Sequence, residues 1–167
     1  GCDIKTISGG FKALRNTCLS ILNDASNDDK KWMILSGRTG SAKTKLINIL
    51  DNSICLEGLA NHRGSAFGSF DTPQPTPINF ENTLACEYLQ IADKTVYFED
   101  ESRTIGRLVI PENFYKKMSS SKIILVEEPI ENRIQNIYEE YVKNDKDGKT
   151  SNIQSDQLRL KLSRISK

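Results

Sequence analysis

Trp32-Met33-Ile34-Leu35-Ser36-Gly37-Arg38-Thr39-Gly40-Ser41-Ala42-Lys43-Thr44 is the stretch that decides the fold. Its first four residues form a short continuous apolar run, the pattern of a parallel strand buried on both faces. The run stops at Ser36-Gly37, and from Lys43 to Leu50 the residues Leu46, Ile47 and Leu50 recur at helical spacing. The eight residues Gly37 to Thr44 have the spacing of a phosphate-binding loop. In such a loop backbone N–H groups wrap phosphate oxygens at a helix N-terminus, a Lys reaches the outer phosphate, and a Thr hydroxyl binds Mg²⁺. Gly37, Arg38, Thr39, Gly40, Ser41, Ala42, Lys43 and Thr44 are therefore the expected phosphate contacts, with Thr44 on the metal. One position departs: Ala42 stands where the motif has Gly. Its methyl group crowds the approach of backbone to phosphate and disfavours positive φ, so either the site tolerates it or nucleotide affinity is weakened.

Outward from this stretch, strand and helix patterns alternate. Phe11, Leu14, Cys18, Ile21 and Leu22 predict a helix over about 11–23, after a Gly9-Gly10 turn. Ser53 to Leu56 reads as a second strand that ends at Glu57-Gly58 and opens into a Gly/Ser-rich loop, Gly58 to Gly68. Pro73, Pro75 and Pro77 exclude helix and ladder alike, and Phe80, Leu84, Tyr88 and Ile91 then mark a helix. Thr95 to Phe98 is a third strand, Pro111 opens a short helix to about Met118, and Lys122 to Val126 is a fourth strand. Pro129 starts a helix with Ile130, Ile134, Ile137 and Tyr141 expected inward. Asn144 to Asn152 is polar, and Ser155 to Ile165 carries Leu158, Leu162 and Ile165 on one helical face. The fold class is therefore α/β, a P-loop NTPase-like parallel sheet with helices on both faces.

Composition narrows the function. The 167 residues are 37% hydrophobic and 27% charged, with a net charge of +1. No window nears the ~18 apolar residues of a membrane span and no signal pattern opens the chain, so a cytoplasmic protein without membrane contact is expected. The first residues, Gly1-Cys2-Asp3, lack Met, as expected of a piece of a longer chain. Cysteines at 2, 18, 55 and 86 have no zinc-knuckle or C-x-x-C spacing. Cys18 and Cys55 lie in apolar patterns and read as small buried hydrophobes. Charge is uneven: residues 1–70 carry +3, residues 71–115 carry −5 and residues 116–167 carry +3.

Glu99-Asp100-Glu101 follows an apolar strand, where folds of this class keep the acid that supports Mg²⁺ or activates a nucleophile. Three acids are also what a solvated strand end looks like; the loop upstream favours the functional reading. Asp100 is the first choice for the metal-supporting carboxylate, followed by Glu99. The only His of the chain, His62, stands with Glu57, Asn61 and Arg63 in a loop expected at the same sheet edge. A lone His is more often structural than catalytic, but this company at a strand end points to function. The expected catalytic set is thus Glu57, His62, Arg63 and Asp100. Arg103 and Arg107 are placed to clamp a diphosphate or to pair with Glu99 and Glu101. Arg133, on the helix after strand four, sits where phosphotransfer folds often place a charge-stabilising arginine, but a surface ion pair with Glu131 or Glu127 is the better expectation.

Two runs carry a resemblance. Glu57-Gly58-Leu59-Ala60-Asn61-His62-Arg63-Gly64-Ser65-Ala66-Phe67-Gly68 and Glu99-Asp100-Glu101-Ser102-Arg103-Thr104-Ile105-Gly106 resemble the P-loop domain of the tRNA 2-selenouridine synthase family. Ile7-Ser8-Gly9-Gly10-Phe11-Lys12-Ala13-Leu14-Arg15 is similar to the element closing the rhodanese domain that precedes it in that family. The resemblance implies that residues 1–24 are the end of a rhodanese-like domain and a linker helix. It implies that residues 25–167 are the P-loop domain, truncated at its C-terminus. The implied activity converts wobble 2-thiouridine of tRNA to 2-selenouridine through an S-geranyl intermediate, with geranyl diphosphate and selenophosphate as donors. The implied partners are tRNA and a rhodanese domain in the same or another chain. That domain holds the family's selenium-carrying cysteine, a role not transferred to Cys2. On this reading the loop and Arg103 hold a diphosphate, while Arg63 and Arg107 meet the tRNA.

Two other readings use the same residues. A generic ATPase or small-molecule kinase needs the loop, Asp100, Arg133, Mg²⁺ and ATP or GTP. A non-catalytic tRNA-binding module needs a backbone phosphate in the loop and the cations Lys116, Lys117, Lys143, Lys146, Lys149, Arg159 and Lys161, with steep salt dependence.

Overall fold

The computed structural model describes residues 6–62 and 72–139. Its elements are α1 (Gly10–Asp24), β1 (Lys31–Ser36), α2 (Lys43–Ile49), β2 (Ser53–Ile54), α3 (Leu56–Ala60), α4 (Pro77–Gln90), β3 (Thr95–Glu99), β4 (Thr104–Ile105), β5 (Leu108–Val109), α5 (Glu112–Ser120), β6 (Lys122–Leu125) and α6 (Ile130–Tyr138). Four strands form one parallel sheet in the order β2-β3-β1-β6, as the alternation of patterns predicts. β4 and β5 make a separate antiparallel hairpin that no pattern in the sequence marks.

The order of the strands places the site. From β1 the chain crosses to β2 at one edge, and from β3 it crosses back over β1 to β6 at the other. Connections therefore diverge between β1 and β3, the topological switch point where parallel sheets open a crevice beyond their C-terminal ends. Leu35 of β1 lies beside Glu99 of β3 in register, so the phosphate loop and the acidic run leave adjacent strands side by side.

Aromatic packing anchors this frame. The Trp32 ring lies 4.5 Å from Phe114, 4.7 Å from Phe98 and 5.6 Å from Tyr88, centroid to centroid. One sheet strand, its neighbour and two helices thus meet at the one tryptophan of the chain. Asp28, in the turn before β1, accepts from Lys117 Nζ of α5 at 2.6 Å and from the Tyr88 hydroxyl of α4.

Several expectations are corrected. β2 is two residues long, and Leu56–Ala60 is a helix capped by Cys55, whose sulfur accepts from Gly58 N at 3.3 Å. Pro77 does not exclude helix: it opens α4 at the first turn, with Thr76 Oγ1 accepting from Asn79 N as the cap. Phe11 and Leu14 are exposed, so only Cys18, Leu22 and part of Ile21 face the core from α1. In α6, Ile130 and Ile134 point outward and Arg133 and Ile137 inward. Every residue of β6 is exposed, so among the described residues that edge is not covered on both faces. Cys2, Arg63 and the rest of the loop to Gly68 lie outside the described residues. So do Tyr141, the polar 144–152 stretch, the 155–165 helix, Lys143, Lys146, Lys149, Arg159 and Lys161.

Candidate functional site

The phosphate loop is built where β1 ends. Val126 N donates to Ser36 O at 2.7 Å, tying the last residue of β1, just before the loop, to the residue that follows β6. Gly37 is packed so tightly that a Cβ would lie 2.4 Å from the Val126 carbonyl oxygen, which leaves room for no other residue. Ala42, the departing position, caps α2 with φ 63° and ψ 23°, the left-handed conformation that its methyl group opposes. The loop therefore takes the backbone course of the motif in spite of the substitution.

Lys43 reaches back over the loop, its Nζ donating to the Gly37 carbonyl at 2.6 Å. Burial lowers its pKa, while the charges of Glu57, Glu101, Asp100 and Glu99 act to raise it. Four carboxylates thus face one ammonium across the switch-point crevice. Thr44, half-buried, occupies the first turn of α2 beside it.

On the other wall, Glu99 ends β3 with 2% of its surface exposed. Its Oε1 accepts from the Cys55 thiol at 2.9 Å and its Oε2 from Glu57 N at 3.1 Å. Burial raises the Glu99 pKa against these two bonds, and burial together with Glu99 pushes the Cys55 thiol well up. Cys55 is accordingly half-buried and polar in its contacts, a correction to its reading as a small hydrophobe. Asp100 turns to β1 instead, its Oδ2 accepting from Ser36 Oγ at 2.5 Å.

Carboxylate oxygens of Glu57, Glu99 and Glu101 lie within 4.8 Å of one another. This set shares Glu99 with the expected metal ligands and adds Glu57 and Glu101, whereas Asp100 is engaged by Ser36. An all-oxygen donor set of this kind fits Mg²⁺, which prefers carboxylates, hydroxyls and water. Glu101 is not singled out by the sequence, because a run of three acids does not say which side chain approaches Glu57 and Glu99.

His62 follows α3, its N–H donating to Glu57 O at 3.0 Å, and its buried Nδ1 has no partner among the described residues. Asn61, at φ 47°, ends α3 and braces Thr72 and Pro73 through its Nδ2. The guanidiniums of Arg103 and Arg107 turn away from the carboxylates: Arg103 lies 3.8 Å from Glu112, and Arg107 Nη2 donates to Gln74 O at 2.6 Å. Among the described residues Arg133 makes no ion pair. It is 5% exposed, and its Nε donates to the Thr39 carbonyl of the phosphate loop at 2.9 Å.

Comparison with known proteins agrees with the resemblance seen in the sequence. The chain is 43% identical to the tRNA 2-selenouridine synthase of Shewanella piezotolerans over 145 residues, 85% of this chain and 40% of that protein. It is 47% identical to the synthase of Shewanella denitrificans over 147 residues, 86% of this chain and 40% of the relative. For the synthase of Nitrosomonas europaea the identity is 40% over 149 residues, 85% and 38% of the two chains. The chain thus spans about 40% of the length of the curated relatives it matches. No solved structure matches it. Residues 30–167 match the family model of the tRNA 2-selenouridine synthase AAA domain. With its phosphate loop and carboxylate wall meeting at the switch point of a parallel sheet, the chain belongs to that family.

Proposed function

We propose that the chain is the diphosphate-handling part of a cytoplasmic tRNA-modifying transferase that converts wobble 2-thiouridine to 2-selenouridine. Geranyl diphosphate and selenophosphate are the donors, S-geranyl tRNA is the intermediate, and a rhodanese domain of the same or another chain is the partner. The meeting of Lys43 and the loop with Glu57, Glu99 and Glu101 in one crevice supports this reading: a cationic cradle for a diphosphate, walled by oxygen donors.

Prenyl transfer to sulfur forms a C–S bond as the C–O bond to diphosphate breaks, and the base gives up a proton. The electron pair leaves on diphosphate, so the donors that matter are those aimed at the departing oxygens. Lys43 and the loop amides take that role. Thr44 and the carboxylates Glu57, Glu99 and Glu101 are assigned to Mg²⁺, which when bound supplies neutralisation of the diphosphate charge. Glu57, His62, Arg63 and Asp100 are assigned to the reacting base, Arg103 to the diphosphate, and Arg63 and Arg107 to tRNA.

The bond from Arg133 to the Thr39 carbonyl of the loop favours one second reading, Mg²⁺-dependent ATP or GTP turnover. Calorimetric titration of geranyl diphosphate, and separately of Mg·ATP, into wild type and Lys43→Ala separates the two. Saturable binding of geranyl diphosphate is expected, weakened at least about tenfold in the variant as a charge-assisted contact is lost. Binding of Mg·ATP alone would replace the prenyl reading by the nucleotide one.

A further inference from the structure

Arg133 and Asn136 stand three residues apart on one face of α6, and each reaches the phosphate loop. Arg133 Nε donates to the Thr39 carbonyl at 2.9 Å, and Asn136 Nδ2 donates to the Gly40 carbonyl at 2.9 Å. Gly40 is pressed against the same helix: a Cβ there would lie 2.5 Å from the Arg133 carbonyl oxygen and 2.9 Å from Ile137 Cδ1. The loop is thus seated on α6 by two side-chain bonds and a close backbone approach.

Planarity of the peptide converts these bonds into aim. Across a trans peptide the carbonyl and the following N–H point in opposite directions. A Thr39 carbonyl drawn onto Arg133 therefore turns the Gly40 N–H away from α6. Arg133 as a whole is 5% exposed, and no carboxylate of the described residues pairs with it. A cation so far out of water, with no counter-charge among the described residues, gains from an anion held by the adjoining loop on the far side of the Thr39–Gly40 peptide.

We propose that Arg133 is a positioning residue of the phosphate site, with Asn136 as its second arm, and that its charge tunes the loop toward a diphosphate over a monophosphate. This rests on the reading of the loop as a phosphate site. The selectivity follows from Coulomb's law: one added cation gains more from a more highly charged ligand, whereas a bond that only shapes the loop serves both ligands alike.

Binding of inorganic pyrophosphate and of orthophosphate to the full chain is measured by calorimetry with Mg²⁺, for wild type, Lys43→Ala, Arg133→Lys, Arg133→Gln and Asn136→Ala. Trp32 fluorescence confirms that each variant is folded. Arg133→Gln is expected to weaken pyrophosphate at least about tenfold and orthophosphate less, so that the ratio of the two affinities falls. Arg133→Lys keeps the charge and loses the planar donor, so it weakens both anions while preserving the ratio. Asn136→Ala weakens both in parallel. Should Arg133→Gln not fold, the Lys and Asn136 variants decide: affinities within twofold of wild type in both overturn the proposal. A folded Arg133→Gln with an unchanged ratio overturns the selectivity. Wild type that binds neither anion removes the phosphate-site reading and this proposal with it, whereas binding lost in Lys43→Ala and kept in every α6 variant removes the proposal alone.

Discussion

Ala42 holds a conformation that its side chain opposes. An L-residue in the left-handed region costs about 1–2 kcal/mol, and Gly returns part of that gain through its freer unfolded chain. Ala42→Gly is therefore expected to stabilise the chain by about 0.5–1 kcal/mol, raising the melting midpoint by about 2 °C. A thermal melt followed by Trp32 fluorescence measures it, and a fall in the midpoint would show that the methyl group packs favourably. At this scale the sequence was legible wherever spacing dictates backbone. The loop from Gly37 to Thr44 could be placed to the residue, down to the positive φ that Ala42 was expected to resist. Side-chain partners were not legible. Nothing in Ser-Ile-Cys-Leu-Glu distinguishes a buried apolar Cys55 from one whose thiol donates to Glu99, because that contact joins residues 44 positions apart.

Between elements, Asp28 is a clear case of electrostatics holding helices to a sheet. Burial acts to raise its pKa, but hydrogen bonds from Lys117 and Tyr88, with the Lys117 charge, outweigh it and hold the carboxyl below its ordinary 3.8. A depressed native pKa contributes stability that is present above the unfolded value and is lost as pH falls through the folded one. Asp28→Asn is expected to cost about 1–2 kcal/mol at pH 7, the value of a partly exposed charged hydrogen bond. The gap between variant and wild type should close below the ordinary carboxylate range, as urea midpoints at pH 7, 5 and 3 would show. A gap that does not vary with pH would assign the loss to packing. Helix existence was readable from periodicity, but the inward face of α6 was not. Ile130, Ile134 and Ile137 share an apolar spacing, yet the helix is turned so that Arg133 and Asn136 supply the donors that the Thr39 and Gly40 carbonyls require. A hydrogen-bond demand set by another element overrode the apolar stripe.

Across the whole molecule, the parallel sheet followed from the strand–loop–helix alternation, whereas the strand order that sets the switch point is read from the structure alone. Two further features did not follow from the sequence. The β4–β5 hairpin has strands too short to show alternation, and Gly106 at φ 60° is its one local sign. The second is the exposure of β6 among the described residues: Ile123 is 64% and Leu125 62% exposed, and Ile130, Ile134 and Tyr138 of α6 are exposed as well. Exposed apolar side chains of this kind favour association with other apolar surfaces. Exchanging Ile123 and Leu125 for Lys replaces exposed apolar atoms by charge without opening a cavity. Each substitution should therefore change stability by less than about 0.5 kcal/mol while reducing self-association and binding of an apolar dye at high protein concentration. Sedimentation velocity over a concentration series, with urea melts of the same samples, tests both halves. A loss of about 2 kcal/mol or more in the double variant would mean that this face is packed against another part of the chain and contributes to its core.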